Sequence, residues 1–175
     1  NMWNDYTFAQ WPLHPGTLET VEDAKRFIDL YDGSVRYTDE NIGMILDCVR
    51  ELGVYDDTAV IVTSDHGEDL GEFGVYGEHG MADECVSRIP LLIRWPGARR
   101  GARVPGFYDN TCLAPTLQEL LGTKGFGEAY HYDGASFAQA LFRDDVRGAD
   151  SVILTQCAHV CQRAARFDHY IYIST

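Results

Sequence analysis

The sequence predicts an α/β fold: a largely parallel mixed sheet flanked by helices, incomplete, with an antiparallel edge or the start of a small subdomain at its C-terminal end. Three observations lead there. Residues 58–64 contain an unbroken apolar run, Ala59 to Val62, three of whose four residues are β-branched, which suits a strand covered on both faces. That run follows a long helical periodicity through a short turn, Tyr55-Asp56-Asp57, which makes an αβ unit. Near the C-terminus three short runs, 152–155, 161–167 and 170–174, follow one another closely enough to pair as antiparallel neighbours.

The elements follow in order. Residues 1–16 hold Pro12, Pro15 and Gly16 without a sustained period and read as a loop or entering arm. A helix is expected from Thr17 or Thr20, because Thr20 and Asp23 have capping-box spacing and Val21, Ala24, Phe27, Ile28 and Tyr31 recur at helical intervals. The pattern resumes through Ile42, Ile45, Leu46, Val49 and Leu52, with Asp32-Gly33 as a point of kinking or splitting and Gly53 as a stop. After the strand at 58–64 comes a glycine-rich, polar stretch, 67–80, read as a long loop of the kind that carries function. Ile89 to Ile93 restarts the sheet and Trp95-Pro96-Gly97 ends it. Asp109 or Thr111 is placed to cap a helix through Leu113, Leu117, Leu120 and Leu121, with Pro115 harmless in its first turn and Gly122 after its end. A Gly-rich connection and a short helix near 134–142 lead to the three C-terminal strands.

Composition excludes several classes of partner. Fourteen basic against 27 acidic residues give a formal charge of −13, which repels nucleic acid and anionic lipid over most of the surface. No run approaches the ~20 apolar residues of a membrane-spanning helix. Five cysteines at irregular spacing give no disulfide framework, and packed thiols are expected. Cys157-Ala-His-Val-Cys161 has two thiols at close spacing but lacks the further ligands of a structural zinc.

The chemistry concentrates at Ser64-Asp65-His66-Gly67, where a buried strand delivers a carboxylate and an imidazole at its carboxyl end and a glycine permits a sharp turn. Asp65 offers hard oxygen ligands and His66 a borderline nitrogen, a pair suited to a divalent metal. In the following loop, Glu68, Asp69, Glu72 and Glu78 read as solvated carboxylates, with Glu68 a candidate partner to a ligand.

Four ordered segments carry a resemblance: Tyr31-Asp32-Gly33-Ser34-Val35 through Asp39-Glu40-Asn41-Ile42-Gly43; Asp57-Thr58 through Asp65-His66-Gly67-Glu68; Arg88-Ile89-Pro90 through Arg94-Trp95-Pro96-Gly97; and Leu113-Ala114-Pro115-Thr116-Leu117. The chain resembles the sulfatase branch of the alkaline-phosphatase-like superfamily over most of residues 31–121. The resemblance implies that Asp65 and His66 are ligands of one divalent metal, calcium or manganese ahead of zinc. Many sulfatases carry asparagine where His66 stands, and the imidazole is similar to that of the phosphonate and phosphate ester hydrolases of the same superfamily. It also implies a catalytic and substrate-binding role for His79, eleven residues before Pro90, where a cation or donor meets the ester group. Arg88, two residues before Pro90, is expected to hold the loop through carboxylate pairing more than to touch substrate.

One departure from the family pattern stands out. The Cys/Ser-x-Pro-x-Arg motif that yields the formylglycine nucleophile is absent, and Cys112-Leu-Ala-Pro-Thr has its proline one position late and no arginine. The expectation is therefore that residues 1–149 form the C-terminal half of a sulfatase-like catalytic domain and 150–175 begin a subdomain or sheet edge. The formylglycine is expected upstream, and the chain alone is expected to be inactive. The partners expected are a small-molecule sulfate or phosphate ester and the remainder of the catalytic domain, an oligomer being compatible and nucleic acid not. Two other readings stand beside sulfate ester hydrolysis: a phosphonate or phosphate mono- or diester hydrolase on the same scaffold, and a non-catalytic fragment or degenerate binding module.

Overall fold

The computed structural model describes residues 18–123, 131–157 and 161–175, so the entering arm expected at 1–16 and most of the Gly-rich connection lie outside the described residues. The described residues fall into two compact units. The first comprises residues up to Asp57 together with Glu68–His79, the second Thr58–Gly67 together with residues from Gly80 onward.

The first unit is dominated by α1, Val21–Glu51, 31 residues long. Its start is the expected capping box: the Asp23 amide donates to the Thr20 hydroxyl oxygen at 3.1 Å and the Thr20 amide to the Asp23 carboxylate at 2.8 Å. The helix runs straight through Asp32-Gly33, where a kink or split was expected. An interior glycine costs only about 1 kcal/mol against alanine, too little to break a helix with uninterrupted turns on both sides. Arg36 pairs with Glu40 at 2.9 Å one turn apart, and no residue of α1 is buried.

The stretch expected to be a loop without core carries β1 and β2 of a small hairpin, Asp69–Leu70 and Tyr76–Glu78, around a 3-10 turn at Glu72–Gly74. They pair antiparallel with a register shift after Asp69. Gly71 has φ 124°, and a Cβ there would meet the Tyr76 ring at 2.8 Å. Asp69, expected to be a solvated carboxylate, is fully buried.

In the second unit, β3, Val60–Thr63, pairs antiparallel with β4, Leu91–Arg94, in the register Val60↔Arg94 to Thr63↔Leu91. Two side chains fasten the pair, the Thr63 hydroxyl donating to the Pro90 carbonyl at 2.9 Å and Arg94 Nη1 to the Thr58 carbonyl at 2.6 Å. Between them lies the four-residue helix α2, Glu84–Ser87, capped by Asp83. Helix α3, Leu113–Leu120, is entered through a 3-10 turn capped by Asp109 and closes with Gly122 at φ 61°, the left-handed conformation that suits glycine there. Residues 134–142 form only a 3-10 turn, Ala138–Leu141, in place of the expected helix. The turn is tied to α3, the Phe137 amide donating to the buried Thr116 hydroxyl at 2.9 Å.

The unit ends in an antiparallel meander, β5 Ser151–Gln156, β6 Gln162–Phe167 and β7 Tyr170–Ser174. The β6–β7 connection is two residues long, with Asp168 at φ 48°, as a tight hairpin turn requires. The chain is α/β with the expected antiparallel C-terminal edge. Among the described residues every strand pairing is antiparallel, so the parallel part of the expected mixed sheet is not represented there. Packed thiols were expected, yet Cys48, Cys157 and Cys161 are exposed and only Cys85 and Cys112 are partly buried. Cys48 lies on α1, which buries nothing, and the other two lie just beyond the β5–β6 ladder.

Candidate functional site

In the second unit, Asp65 and His66 leave the carboxyl end of β3 in a turn held by its own side chains. The Ser64 hydroxyl donates to the His66 carbonyl, and the His66 amide donates to Asp65 Oδ1 at 3.0 Å. His66 Nδ1 lies 2.8 Å from the Gly67 carbonyl. A carbonyl only accepts, so the Nδ1 position carries the proton and, in the neutral ring, Nε2 carries the lone pair. That nitrogen sits 3.8 Å from Asp65 Oδ2. A histidine whose second nitrogen is oriented by a backbone carbonyl is the usual arrangement of an imidazole metal ligand. Asp65 is held below its ordinary value of 3.8, chiefly by the His66 amide, and is strongly exposed, so it is ionised and accessible. The donor set, one carboxylate and one imidazole, fits two positions of a divalent metal's coordination shell.

The turn is positioned from behind by α2. The Gly67 amide donates to the Val86 carbonyl at 2.7 Å, while the Val86 amide is capped by Asp83 Oδ1 at 3.0 Å. An ideal Cβ on Gly67 would lie 1.9 Å from the Cys85 carbonyl oxygen. Gly67 is thus required by close approach of two backbones, at a turn where a Cβ would clash, and its φ is not positive. Asp83 is 2% exposed and was not foreseen.

Alternation along β6 holds α2 in turn. Gln162, Ala164 and Arg166 share one face; Gln162 Oε1 accepts from the Ala82 amide at 2.9 Å, and Arg166 Nε pairs with Glu84 Oε2 at 3.2 Å. Arg166 also donates from Nη1 to the carbonyls of Phe167, Asp168 and Tyr170 and lies over the Phe107 ring at 5.2 Å. Arg88 does pair with a carboxylate, Glu84, but at 3.4 Å and with 80% of its side chain exposed. Arg166, 17% exposed, is the better-held partner of that carboxylate. Sequence reasoning missed Arg166 because nothing in a strand pattern marks one arginine as inward-facing.

A cleft of about 1370 Å³ within this unit is bordered by Asp65, His66, Arg88, Tyr108 and Phe137. The Tyr108 ring packs edge-on against Phe137 at 5.0 Å, and its buried hydroxyl has no hydrogen-bond partner among the described residues. Burial first, and the neighbouring Cys112 second, push its phenol above the ordinary value of 10.0.

His79 belongs to the first unit, at the end of the β1–β2 hairpin. Its Nδ1 lies 3.0 Å from Glu68 Oε2, and Glu68 is only 20% exposed. The ionised carboxylate accepts, so the proton resides on Nδ1 and the ring orientation is fixed. Glu68 is therefore a histidine partner, not merely a solvated carboxylate.

Comparison with known proteins follows from these motifs. The family described as Sulfatase matches residues 6–123. An N-acetylglucosamine-6-O-sulfatase of Bacteroides thetaiotaomicron is 37% identical over 95 residues, 54% of this chain and 17% of that protein. A multifunctional alkaline phosphatase superfamily protein of Trinickia caryophylli is 38% identical over 94 residues, 53% of this chain and 18% of that protein. Among solved structures, a phosphonate monoester hydrolase of Silicibacter pomeroyi superposes with a TM-score of 0.76 at 23% identity, covering 90% of this chain and 34% of that one. The chain thus spans well under two-thirds of the length of these relatives. Its matched segment, two-thirds of its length, makes this chain a member of the Sulfatase family, and its fold is that of the Silicibacter pomeroyi structure.

Proposed function

We propose that this chain contributes metal-binding and ester-binding residues to the hydrolysis of a sulfate ester, within a sulfatase-like catalytic domain. The observation that supports this most is the Asp65–His66 pair at the end of a strand, its carboxylate ionised and its imidazole tautomer set by the Gly67 carbonyl, in a Sulfatase family member. Asp65 and His66 Nε2 would hold one divalent metal, calcium or manganese ahead of zinc. When bound, such a metal polarises the ester's oxygens and acidifies an attacking hydroxyl. His66 contributes orientation, since its Nδ1–H bond to Gly67 prevents the ring from turning away. His79, when protonated, donates from Nε2 to an ester oxygen while Glu68 balances the charge at Nδ1. No Cys/Ser-x-Pro-x-Arg run occurs in residues 1–175, and we assign the formylglycine nucleophile to polypeptide outside them.

The test is metal content and turnover of the protein that carries this chain. Asp65→Ala and His66→Ala are each expected to lower bound calcium or manganese, and unchanged content in both removes the pair from the site. A second reading, phosphonate or phosphate ester hydrolysis, is favoured by His66 and by the likeness to the Trinickia caryophylli and Silicibacter pomeroyi proteins. Paired assays on an aryl sulfate and an aryl phosphodiester separate the two, and faster phosphodiester turnover overturns the first.

A further inference from the structure

We propose that Cys157 and Cys161 form a reversible intramolecular disulfide that closes the end of the β5–β6 hairpin. The register carries the argument. Gln156 and Gln162 are the last paired residues of the β5–β6 ladder, and Cys157 and Cys161 are the next residue on each side, so continuing the same register would place them opposite each other. Residues opposite each other in an antiparallel pair point to the same face with Cα atoms about 4.5–5.5 Å apart, inside the range of about 4.4–6.8 Å that a disulfide spans.

The two thiols also influence each other. The Cys157 thiol is held above its ordinary value of 9.0, first by a hydrogen bond with Cys161 and then by that thiol's charge, which requires the sulfurs to be neighbours. Both residues are exposed, so a reagent in solution reaches them. The intervening three residues lie outside the described residues.

The oxidant is a small-molecule disulfide. One cysteine thiolate attacks a sulfur of the reagent, forming a mixed disulfide and expelling one thiolate. The second cysteine thiolate then attacks the protein sulfur of that mixed disulfide, forming the Cys157–Cys161 bond and expelling the second thiolate. Two electrons pass to the reagent, and the two protons lost by the cysteines are taken up by its two thiolates. The same sequence in reverse opens the bond. Linking the strands at this point removes the freedom of the hairpin end to fray.

The full chain, equilibrated in glutathione buffers of increasing oxidised-to-reduced ratio, quenched with acid, alkylated and mapped by peptide mass, tests this. The expected result is a single peptide carrying both Cys157 and Cys161, unalkylated and two hydrogens lighter than its dithiol form, growing with the ratio and lost after dithiothreitol. Cys157→Ser is expected to replace that link with a persistent glutathione adduct on Cys161, because no neighbouring thiol resolves it. Separate adducts on both cysteines in the unsubstituted chain, or an adduct level on Cys161 unaffected by Cys157→Ser, would overturn the proposal.

Discussion

Replacing Gly67 with alanine is expected to destabilise the second unit and to misdirect His66. The added Cβ would lie 1.9 Å from the Cys85 carbonyl oxygen, 3.0 Å from its carbon and 3.3 Å from the Val86 Cα, all backbone atoms that no rotamer change relieves. Restoring an ordinary contact of 3.4 Å to that oxygen opens the two segments by about 1.5 Å. The Gly67 amide, now 2.7 Å from the Val86 carbonyl, would then be out of hydrogen-bonding range. One lost hydrogen bond costs about 1 kcal/mol and overpacking about 1–3 kcal/mol, which together predict a loss of about 2–4 kcal/mol. At about 2 kcal/mol per molar urea, the unfolding midpoint falls by about 1–2 M. Urea unfolding followed by near-ultraviolet circular dichroism reads this shift. An unchanged midpoint would refute the claim that close backbone approach fixes this glycine.

Gly33→Ala is the opposite case: its Cβ position is open within an ordinary helix, so a gain of about 0.5–1 kcal/mol is expected from the same titration. Arg166→Lys is expected to cost about 1–3 kcal/mol, because an ammonium cannot hold Glu84 and three carbonyls at once, and thermal unfolding reads the loss. The Asp23 carboxyl is held below its ordinary 3.8, chiefly by the Thr20 hydroxyl, so its contribution is present above about 3.8 and disappears as pH falls through the lower folded value. Helical circular dichroism in acid should therefore show α1 losing its first turn below that point, and Asp23→Asn should flatten the dependence.

The sequence made some of this legible and hid the rest for identifiable reasons. Thr20 with Asp23, the apolar strand ahead of Asp65 and the αL glycine after α3 are local signals, and the structure follows them. The uninterrupted helix through Gly33 was harder, because a glycine's modest local cost says nothing about the turns on either side. Asp69 and Asp83 look like any acidic loop residues, since burial is decided by what packs around them. The requirement for Gly67 was legible as a glycine but not as to cause, because the Cys85 carbonyl that approaches it is 18 residues further along the chain. Arg166 and Gln162 depended on which face of β6 turned inward, and a strand with alanines at its centre gives no clear alternation to read.

The route of the chain through its two units has a consequence for how it can be divided. The backbone leaves the first unit after Asp57, returns to it at Glu68 and leaves again after His79, so the segment Glu68–His79 is an insertion within the sequence of the second. No single cut yields either unit whole. A fragment ending at Asp57 lacks the hairpin bearing Glu68 and His79, and one starting at Gly80 lacks the strand that delivers Asp65 and His66. Recombination or truncation that trades one unit for another must therefore exchange two stretches together, which ties the inheritance of the His79 hairpin to that of the strand before it.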